Sequence, residues 1–341
     1  MQADVAVLGG GSWGTILAHL AAHNGQRTAL WMRNPQACET LNATHTNPRY
    51  LGETPLAEGI TATTELGEAV RGTPVVIFCV PSKASRAVAR QAGEFLTGDQ
   101  VVLSATKGLE PESFHTVTEL LRAETCALKI GAISGPNLAK EIVRGQPSAT
   151  VVASRFHEVI VRATEALHSS LFRIYGQDDL RGVELAGALK NVIAIACGAA
   201  AGLGFGHNVR AMLVTRGLAE IQRLGVKLGA DPLTFSGLAG VGDLLVTCGS
   251  ELSRNFRVGR GVAQGKTLAQ VVEELGEVAE GVNTTHVALA LASREEVAMP
   301  ITEAVKDLLD GKVAAQEILQ DLMGRAARYE IDFDYTAEVS A

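Results

Sequence analysis

Lys190 lies in a segment, residues 183–196, that is apolar on nearly every face of the helix its spacing predicts. A lysine inside such a helix is expected to be desolvated, which disfavours the charged ammonium and brings its pKa toward the range useful for proton transfer. The alternative is a lysine that extends its aliphatic stem and keeps the ammonium at the surface. The apolar surroundings favour a general acid or base at Lys190.

A second group of polar residues lies between positions 240 and 255. Asp243 and Thr247 are four residues apart, so they share one face if this stretch is helical. Ser253, Arg254 and Asn255 offer a hydroxyl, a guanidinium and an amide at an apparent helix start, which suits a phosphate group. A capped helix end with a solvated arginine accounts for the same three residues equally well, and the sequence leaves both interpretations open.

Two further candidates follow predicted strands. Lys107 comes after the strand at 100–104, at the carboxyl edge of a parallel sheet, where the ligands of such sheets bind. The turn at 134–137, with Gly135 and Asn137, occupies the same kind of position after another strand. An ordinary loop lysine and simple turn chemistry are the alternatives for these two segments.

A glycine-rich motif directly follows the first predicted strand. Gly9, Gly11 and Gly14 form the pattern G-x-G-x-x-G and open a helix. In that context the first glycine permits a tight turn, the second lets the backbone approach a pyrophosphate, and the third lets helix and strand pack closely. A glycine-rich turn without a ligand is the alternative, but the position after a strand, with a second strand at 28–32, favours a dinucleotide site.

Arg33 and Asn34 stand at the end of that second strand, where an NAD-specific site usually carries Asp or Glu. A guanidinium at this position suits the 2′-phosphate of NADP, so the sequence favours NADPH. An Arg33 that stacks on the adenine ring would instead accept both NADPH and NADH.

Metal ligands and disulfides are not indicated by the sequence. His19 and His23 are four residues apart on the first predicted helix, but there is no H-E-x-x-H motif and no obvious third ligand, so we interpret both as helix-surface residues. The five cysteines are scattered without a C-x-x-C pair, which fits a reducing compartment. Asp178 and Asp179 are interpreted as a solvated turn. We predict no bound metal.

The predicted elements divide the chain into two parts. In the first, β-branched apolar runs alternate with amphipathic helices, as in a parallel sheet covered by helices, and in the second, helical spacing takes over. The predicted fold class is α/β, with a Rossmann-type doubly wound sheet in a domain at 1–180 and an all-helical domain at 181–341. Strands are predicted at 4–8, 28–32, 74–80, 100–104, 130–134 and 148–153, and helices of the second domain at 183–201, 208–228, 255–264, 267–275, 282–296 and 301–310.

Composition limits the functional class. The chain of 341 residues is long enough for two domains, and its net charge of -7 argues against non-specific nucleic-acid binding, which needs a surplus of Lys and Arg. The N-terminus has no basic region before its first strand, so it does not read as a secretory signal. The longest uncharged apolar stretch, 192–206, is shorter than the about 20 residues that span a bilayer. We predict a soluble, cytoplasmic protein without membrane insertion.

Eight segments together resemble one enzyme family. They are GGGSWGT at 9–15, ATKGLE at 105–110, SGPNLAKEI at 134–142, ELAGALKNVIAIACG at 184–198, TRGLAEI at 215–221, FSGLAGVGDLLVTC at 235–248, SRN at 253–255 and VAEG at 278–281. In order and spacing they are similar to the NAD(P)-dependent glycerol-3-phosphate dehydrogenases, specifically the bacterial enzymes.

The resemblance implies a reaction. Dihydroxyacetone phosphate would be reduced to sn-glycerol 3-phosphate, a precursor of membrane phospholipids, with hydride from NADPH and, as a second possibility, NADH. Lys190 would be the proton donor to the ketone oxygen, Asp243 would orient it, and Lys107 would complete the catalytic group. The protein would be a homodimer.

The resemblance also implies two sets of binding residues. The residues that line the substrate site would be Lys107, Gly135, Asn137, Lys190, Asp243, Ser253, Arg254 and Asn255. The cofactor contacts would be the motif glycines Gly9, Gly11 and Gly14 together with Ser12, Trp13, Arg33, Lys107, Ala139, Arg254, Val278 and Glu280.

Two other functions compete with this one. A dehydrogenase of the same two-domain plan acting on a 3-hydroxy acid or on 6-phosphogluconate would not need the segment from Gly242 to Asn255. A catalytically inactive NADPH-binding sensor would keep the glycine motif but has no reason to keep a buried Lys190 together with Asp243.

Overall fold

The computed structural model describes residues 2–276 and 278–324. The strands of its first part are β1 (Val5–Leu8), β2 (Thr28–Trp31), β3 (Ile60–Thr63), β4 (Val75–Phe78), β5 (Val101–Ser104), β6 (Lys129–Ser134), β7 (Ser148–Ala153) and β8 (Phe172–Gln177). They form one eight-stranded sheet in the order β3-β2-β1-β4-β5-β6-β7-β8. The neighbouring strands are parallel except for β6 and β7, which pair antiparallel. The doubly wound sheet expected from the sequence is confirmed.

Both faces of the sheet are covered by helices. Within β1, Val5 and Val7 belong to one buried cluster, whereas Ala6 and Leu8 belong to another on the opposite face. This alternation requires an apolar strand without a polar face, which is why the strand could be predicted from its continuous apolar run. The helices of this part are α1 (Ser12–His23), α2 (Pro35–Thr44), α3 (Pro48–Leu51), α4 (Leu66–Val70), α5 (Ser82–Gly93), α6 (Val117–Glu124), α7 (Ala139–Ile142) and α8 (His157–Leu167).

The six strands predicted from the sequence are present, with small shifts at their ends, but β3 and β8 were not predicted. These two are the outer strands of the sheet. In β3 buried and exposed residues alternate, and most of β8 is exposed or half-buried. A prediction that searches for continuous apolar runs fails at sheet edges, because an outer strand buries less of its surface.

The second part is helical, as predicted. Its helices are α9 (Leu180–Gly202), α10 (His207–Lys227), α11 (Asp243–Gly249), α12 (Arg254–Ala263), α13 (Leu268–Leu275), α14 (Glu280–Arg294), α15 (Pro300–Leu309) and α16 (Ala315–Gly324), with a 3₁₀ turn at Pro232–Ser236 and a π turn at Leu238–Gly242. The six predicted helices are confirmed, and α11 shows that Asp243 and Thr247 do share a helix. The predicted second domain extends to residue 341, and its final stretch, 325–341, lies outside the described residues.

Helix α9 is the core of the helical part. Gly198 of α9 and Gly259 of α12 let the two backbones touch, because a Cβ on Gly198 would lie 1.9 Å from the carbonyl oxygen of Phe256 and one on Gly259 would lie 1.9 Å from that of Ile195. Close helix packing of this kind needs residues without side chains at the contact. It brings the start of α12 against the middle of α9, where Lys190 lies.

Helix α9 is also, among the described residues, the helix that is long and apolar enough to cross a membrane by composition. It has 23 residues, more than the 192–206 stretch considered in the sequence. Most of it is buried inside the fold, with 83% of its most apolar window buried. Helix α9 is thus surrounded by protein and forms part of the core of the fold.

Two minor sequence interpretations are corrected by the structure. His19 is half-buried rather than a plain surface residue, and its Nδ1 accepts a hydrogen bond from the backbone N–H of Ala57 at 3.0 Å. Asp179 is not a solvated turn residue, because its Oδ1 accepts from the N–H of Gly182 at 2.9 Å and thereby caps α9.

Candidate active site

A cleft of about 700 Å³ runs between the carboxyl edge of the sheet and the helical part. Carboxyl edges of parallel strands are where such folds bind ligands. The residues that line the cleft are Gly9, Gly10, Gly11, Ser12, Trp13, Gly14, Trp31, Met32, Arg33, Asn34, Ala37, Asn47, Arg49, Tyr50, Cys79, Val80, Pro81, Ala105, Thr106, Lys107, Asn137, Leu138, Ala139, Lys140, Lys190, Asn191, Asp243, Thr247, Glu251, Leu252, Ser253, Arg254, Asn255, Arg257, Val272, Gly276, Val278 and Glu280. Most of the site residues predicted from the sequence are brought together here.

The glycine motif forms one end of the cleft and fits a dinucleotide. Gly9 has a φ of +128°, and a Cβ there would lie 2.3 Å from the carbonyl oxygen of Cys79. A Cβ on Gly14 would lie 1.9 Å from the carbonyl oxygen of Gly9, whereas a Cβ on Gly11 would meet nothing within 4 Å. Gly9 and Gly14 are therefore needed for the tight strand–helix turn, and Gly11 leaves room for a ligand above it.

The N-terminus of α1 adds the electrostatic part of this fit. Its N-cap, Gly11, supplies no side-chain hydrogen bond, and the first turn contains no acidic residue. The first backbone N–H groups of α1 thus lack an intrahelical acceptor, and they carry the positive end of the helix dipole. Trp13, in the same turn, has a buried indole Nε1 without a hydrogen-bond partner among the described residues. These donors suit the pyrophosphate of a dinucleotide.

Arg33 and Ser12 also reach the cleft, as expected. Arg33 is exposed on its rim just after β2, and the neighbouring Asn34 caps α2 by accepting from the N–H of Ala37 at 3.1 Å. Asn34 therefore has a structural task that fixes the loop, and Arg33 is the side chain of this pair that is free to face a ligand's ribose.

Sequence reasoning missed Arg49 and Tyr50, which line the cleft from the short helix α3. The guanidinium of Arg49 lies 5.4 Å from the centre of the Tyr50 ring, and its Nη2 donates to the carbonyl of Gly276 at 3.1 Å. Asn47 brings this segment to the glycine motif, because its Nδ2 donates to Thr15 Oγ1 at 2.8 Å and to the carbonyl of Gly10 at 3.2 Å. No local motif marks Arg49 and Tyr50. The sequence feature that could have indicated a turn at this point is Asn47 followed by a proline.

Two lysines and one aspartate form the centre of the cleft. Lys190 Nζ donates to Asp243 Oδ1 at 2.6 Å and to Thr247 Oγ1 at 2.5 Å. Lys107 Nζ donates to the other oxygen of Asp243, Oδ2, at 2.8 Å and to the carbonyl of Gly135 at 2.8 Å. An ammonium carries three N–H donors, so the described contacts leave each lysine one donor for a ligand in the cleft.

The surroundings of Lys190 alter its acidity. Lys190 is 5% exposed and Asp243 is 2% exposed, so the interpretation of Lys190 as a surface lysine is wrong. The pKa of Lys190 is lowered to about 8, chiefly by burial and in addition by the nearby charge of Lys107, although the Asp243 carboxylate opposes both effects. A lysine with a pKa near 8 can both give and take a proton at physiological pH.

A chain of buried amide hydrogen bonds holds the lysine segments together. Asn191 Nδ2 donates to the carbonyl of Lys107 at 3.1 Å, and Asn255 Nδ2 donates to Asn191 Oδ1 at 2.9 Å. Asn255 Oδ1 in turn accepts from the N–H of Gly281 at 2.9 Å. The chain therefore joins the segments that carry Lys107, Lys190, Arg254 and Glu280, and both ends of the Asn255 amide have protein partners.

The start of α12 faces the cleft. Ser253 is the N-cap, and its Oγ accepts from the N–H of Phe256 at 3.3 Å. Arg254 is the first residue of the helix, is half-buried and lines the cleft, and no acidic residue lies in the first turn. The two interpretations of this segment are compatible, because a capped helix start can also present its positive end to an anion.

The turn after β6 contributes in part. Gly135 is not one of the residues that line the cleft, and its carbonyl serves as the partner of Lys107. Asn137 lines the cleft, but its amide is tied to β7 through Ala149 O at 3.2 Å and Thr150 Oγ1 at 3.0 Å. Ala139, the first residue of α7, also lines the cleft.

The segment before α14 closes the cleft on the far side. Val278 lines it and is 43% exposed. Glu280 lines it as well, but its Oε1 accepts from the N–H of Ser82 at 2.9 Å and its Oε2 from Ser82 Oγ at 2.5 Å. The Glu280 carboxylate thus caps α5, a role that the sequence did not indicate because its partner is distant along the chain.

The described residues contain no group of three His, Cys, Asp or Glu side chains that could hold a metal ion. His19 and His23 stack with ring centres 6.0 Å apart, and burial lowers the pKa of His19.

Comparison with known proteins identifies the family. The sequence model of one protein family, the NAD-dependent glycerol-3-phosphate dehydrogenase N-terminus, matches residues 4–160. The sequence model of the C-terminus of the same enzymes matches residues 179–320. The chain belongs to the NAD-dependent glycerol-3-phosphate dehydrogenase family. The resemblance noted in the sequence is confirmed.

Individual relatives agree with the family models. The chain is 44% identical to a glycerol-3-phosphate dehydrogenase, NAD(P)+, of Acinetobacter baylyi over 96% of this chain and 92% of the relative. It is 45% identical to the enzyme of the same name from Saccharophagus degradans over 96% and 92% of the two chains. The crystal structure of glycerol-3-phosphate dehydrogenase from Coxiella burnetii superposes with a TM-score of 0.91 at 35% identity, covering 95% of this chain and 99% of that one. The chain is thus an oxidoreductase with a nicotinamide cofactor and a small-molecule substrate.

Proposed function

We propose that the chain reduces dihydroxyacetone phosphate to sn-glycerol 3-phosphate, reversibly, with Lys190 as the general acid and base. The observation that carries the proposal is the buried ammonium of Lys190, held by Asp243 and Thr247 at the floor of the cleft. The names of the relatives, glycerol-3-phosphate dehydrogenase, support the substrate.

The residues of the cleft divide the work of the reaction. A nicotinamide coenzyme held at the glycine motif would supply hydride for the ketone carbon. Lys190 donates a proton to the ketone oxygen as the carbon–oxygen double bond becomes single, and it takes a proton from the hydroxyl in the reverse direction. Asp243 keeps Lys190 in place, and the positive charge of Lys107 favours the negative charge that develops on the oxygen.

The phosphate of the substrate is assigned to the start of α12. Arg254 lines the cleft there, and the first turn of α12 carries the positive end of the helix dipole. Ser253 and Asn255 support this helix start. Ser253 is its N-cap, and Asn255 bonds to Asn191 of α9. Gly135 acts through its carbonyl bond to Lys107. Asn137 shapes the wall beside them.

The cofactor is assigned to the glycine motif, with NADPH preferred over NADH. Gly9, Gly11 and Gly14 and the first turn of α1 would hold the pyrophosphate, as the open space above Gly11 supports. The remaining cofactor contacts are assigned to Ser12, Trp13, Arg33, Lys107, Ala139, Arg254, Val278 and Glu280. The preference rests on Arg33, whose exposed guanidinium lies on the rim with no carboxylate at the end of β2.

Replacing Arg33 with aspartate is expected to raise the KM for NADPH about tenfold or more while lowering or leaving unchanged the KM for NADH. A carboxylate repels the 2′-phosphate and accepts hydrogen bonds from the 2′-hydroxyl of NADH. The measurement is kcat/KM with both cofactors, and Arg122→Asp, at an exposed position of α6, is the matched control. Equal effects on both cofactors would show that Arg33 contacts the adenine rather than the 2′-phosphate.

The substrate is tested by mixing purified protein, NADPH and dihydroxyacetone phosphate and following the near-ultraviolet absorbance of the reduced cofactor. The absorbance is expected to fall at an enzyme-typical rate, about 1 to 10³ turnovers per second. Parallel reactions contain the oxidised cofactor with a 3-hydroxy acid or with 6-phosphogluconate, and the rise of the same absorbance is followed. Turnover of one of these alone would replace the proposed substrate, and no turnover with tight NADPH binding would support a sensor instead.

The proposal extends to the cellular setting and assembly. The product serves phospholipid synthesis, and the protein is placed in the cytoplasm as a homodimer, without membrane insertion, on the family resemblance and on the scattered cysteines. The division into domains at 1–180 and 181–341 is supported by the change from sheet to helices between Gln177 and Leu180.

A further inference from the structure

Two buried carboxylates, Glu184 on α9 and Glu220 on α10, share one kind of hydrogen-bond partner. Glu184 is 7% exposed and Glu220 is 1% exposed. Each accepts hydrogen bonds from the backbone N–H and the hydroxyl of a threonine in the first turn of another helix. Burial raises the pKa of each to about 7. Carboxylates are costly to bury, so both positions need an explanation beyond packing.

The two carboxylates join different pairs of helices. Glu220 accepts from the N–H of Ile301 at 2.6 Å and from that of Thr302 at 3.2 Å, so it joins α10 to α15 inside the helical part. Glu184 accepts from the N–H of Thr118 at 2.9 Å and from the Thr118 hydroxyl, so it joins α9 to α6 of the sheet part. Of these two carboxylates, Glu184 is the one that connects the helix of Lys190 to the part of the molecule that carries the glycine motif, and the exposed ion pair of Arg181 with Glu119 joins the same two helices at the surface.

Glu184 lies close enough to Lys190 along α9 to affect where the lysine is held. Glu184 precedes Lys190 by six residues, about 9 Å along the helix axis at 1.5 Å per residue. The surface of α9 between them is apolar, and apolar contacts constrain the rotation and sliding of a helix less than directional hydrogen bonds do. Two residues of α9 that flank Lys190 hold the helix against the sheet part. Glu184, before it, bonds to Thr118. Asn191, just after it, donates to the carbonyl of Lys107 at 3.1 Å.

We infer that Glu184 is a positioning residue for the reaction: its hydrogen bonds to Thr118 fix α9 against the sheet part and so set the place of the Lys190 ammonium relative to the cofactor end of the cleft. The inference rests on the proposed role of Lys190. Glu184 itself touches neither substrate nor cofactor, because it does not line the cleft.

The test compares Glu184→Gln with its matched control, Glu220→Gln. A glutamine keeps the size of the side chain but replaces one of the two acceptor oxygens with an NH2 group, so each variant loses the negative charge and one acceptor atom for the backbone and hydroxyl donors of its partner helix. Both are expected to lower the melting temperature to a similar extent. Glu184→Gln is expected to lower kcat about tenfold to a hundredfold with little change in either KM, since small misplacements of a reacting group have effects of this size. Glu220→Gln is expected to leave kcat within about twofold.

A second pair of variants keeps the test decisive if Glu184→Gln folds poorly. Thr118→Val removes the hydroxyl donor and is expected to lower kcat, whereas Thr118→Ser keeps it and is expected to restore a kcat close to that of the wild type. Equal kcat in Glu184→Gln and Glu220→Gln, or in Thr118→Val and Thr118→Ser, would show that Glu184 supports stability alone.

A readout without substrate separates this inference from the proposed function. The pH midpoint for labelling of Lys190 by an amine reagent, measured by mass spectrometry, reports the environment of its ammonium. It is expected to shift in Glu184→Gln and to stay unchanged in Glu220→Gln. A shift without turnover of dihydroxyacetone phosphate would leave Glu184 as the positioning residue and overturn the substrate. Turnover by the wild type with no shift and no loss of kcat would overturn the role of Glu184.

Discussion

Replacing Lys190 with methionine is expected to lower kcat for the reduction of dihydroxyacetone phosphate by about 10³-fold, within the range that general acid catalysis supplies. Methionine has a similar length and tolerates an apolar site, so α9 is expected to keep its packing. The cofactor end of the cleft, built on Gly9, Gly11 and Gly14, lies on other elements and should be unaffected. The measurements are kcat and the dissociation constant for NADPH.

The control for this variant is Lys227→Met, which removes an exposed lysine at the end of α10. It is expected to change neither quantity. Retention of more than about a tenth of the wild-type kcat in Lys190→Met would assign the proton transfer to another group, with Lys107 as the first candidate because it shares Asp243.

A second large effect, on the pH dependence of kcat, is expected for Asp243→Asn. In the wild type the pKa of Lys190 is about 8, so reduction, which needs the protonated amine, should decline as the pH rises through about 8. Oxidation of sn-glycerol 3-phosphate needs the neutral amine and should rise over the same interval. Opposite profiles with a shared midpoint are the expected wild-type result.

Asp243→Asn removes the negative charge that raises the pKa of Lys190, while burial and Lys107 continue to lower it. Both midpoints are therefore expected to move to lower pH. The variant also leaves the buried ammonium of Lys190 and the half-buried ammonium of Lys107 without their carboxylate, so kcat is expected to fall about 10²-fold or more and the melting temperature to drop. Asp178→Asn, on an exposed residue, is the control. Unchanged midpoints would mean that Lys190 is not the group that titrates.

The features that the sequence predicted depend on residues that are close together along the chain. Continuous apolar runs identified the inner strands such as β1 and β4, and helical spacing identified α9 and α10. The glycine motif predicted its turn because steric limits at Gly9 and Gly14 act between residues close in the chain or in neighbouring strands. The apolar surroundings of Lys190 predicted its burial before any partner was known.

The features that the sequence did not predict depend on surfaces that meet only in the folded chain. The outer strands β3 and β8 lack a continuous apolar run because one edge of each has no neighbouring strand. Arg49 and Tyr50 reach the cleft through the hydrogen bonds of Asn47 to the glycine segment, and no local spacing encodes that contact. Ser82 and Glu280, the pair that caps α5, are 198 residues apart.

The sequence by itself predicted a glycine turn suited to a dinucleotide and a desolvated lysine, it left a helix start open between an anion site and a plain cap, and through its segments it indicated the family. The tertiary structure decided that these belong to one site. Asp243 lies 53 residues from Lys190 and 136 from Lys107, yet its two oxygens bind both ammonium groups. The physical reason is that glycine contacts between α9 and α12 and the amide chain through Asn191 and Asn255 bring these segments together, and such contacts follow from packing geometry rather than from periodicity along the chain.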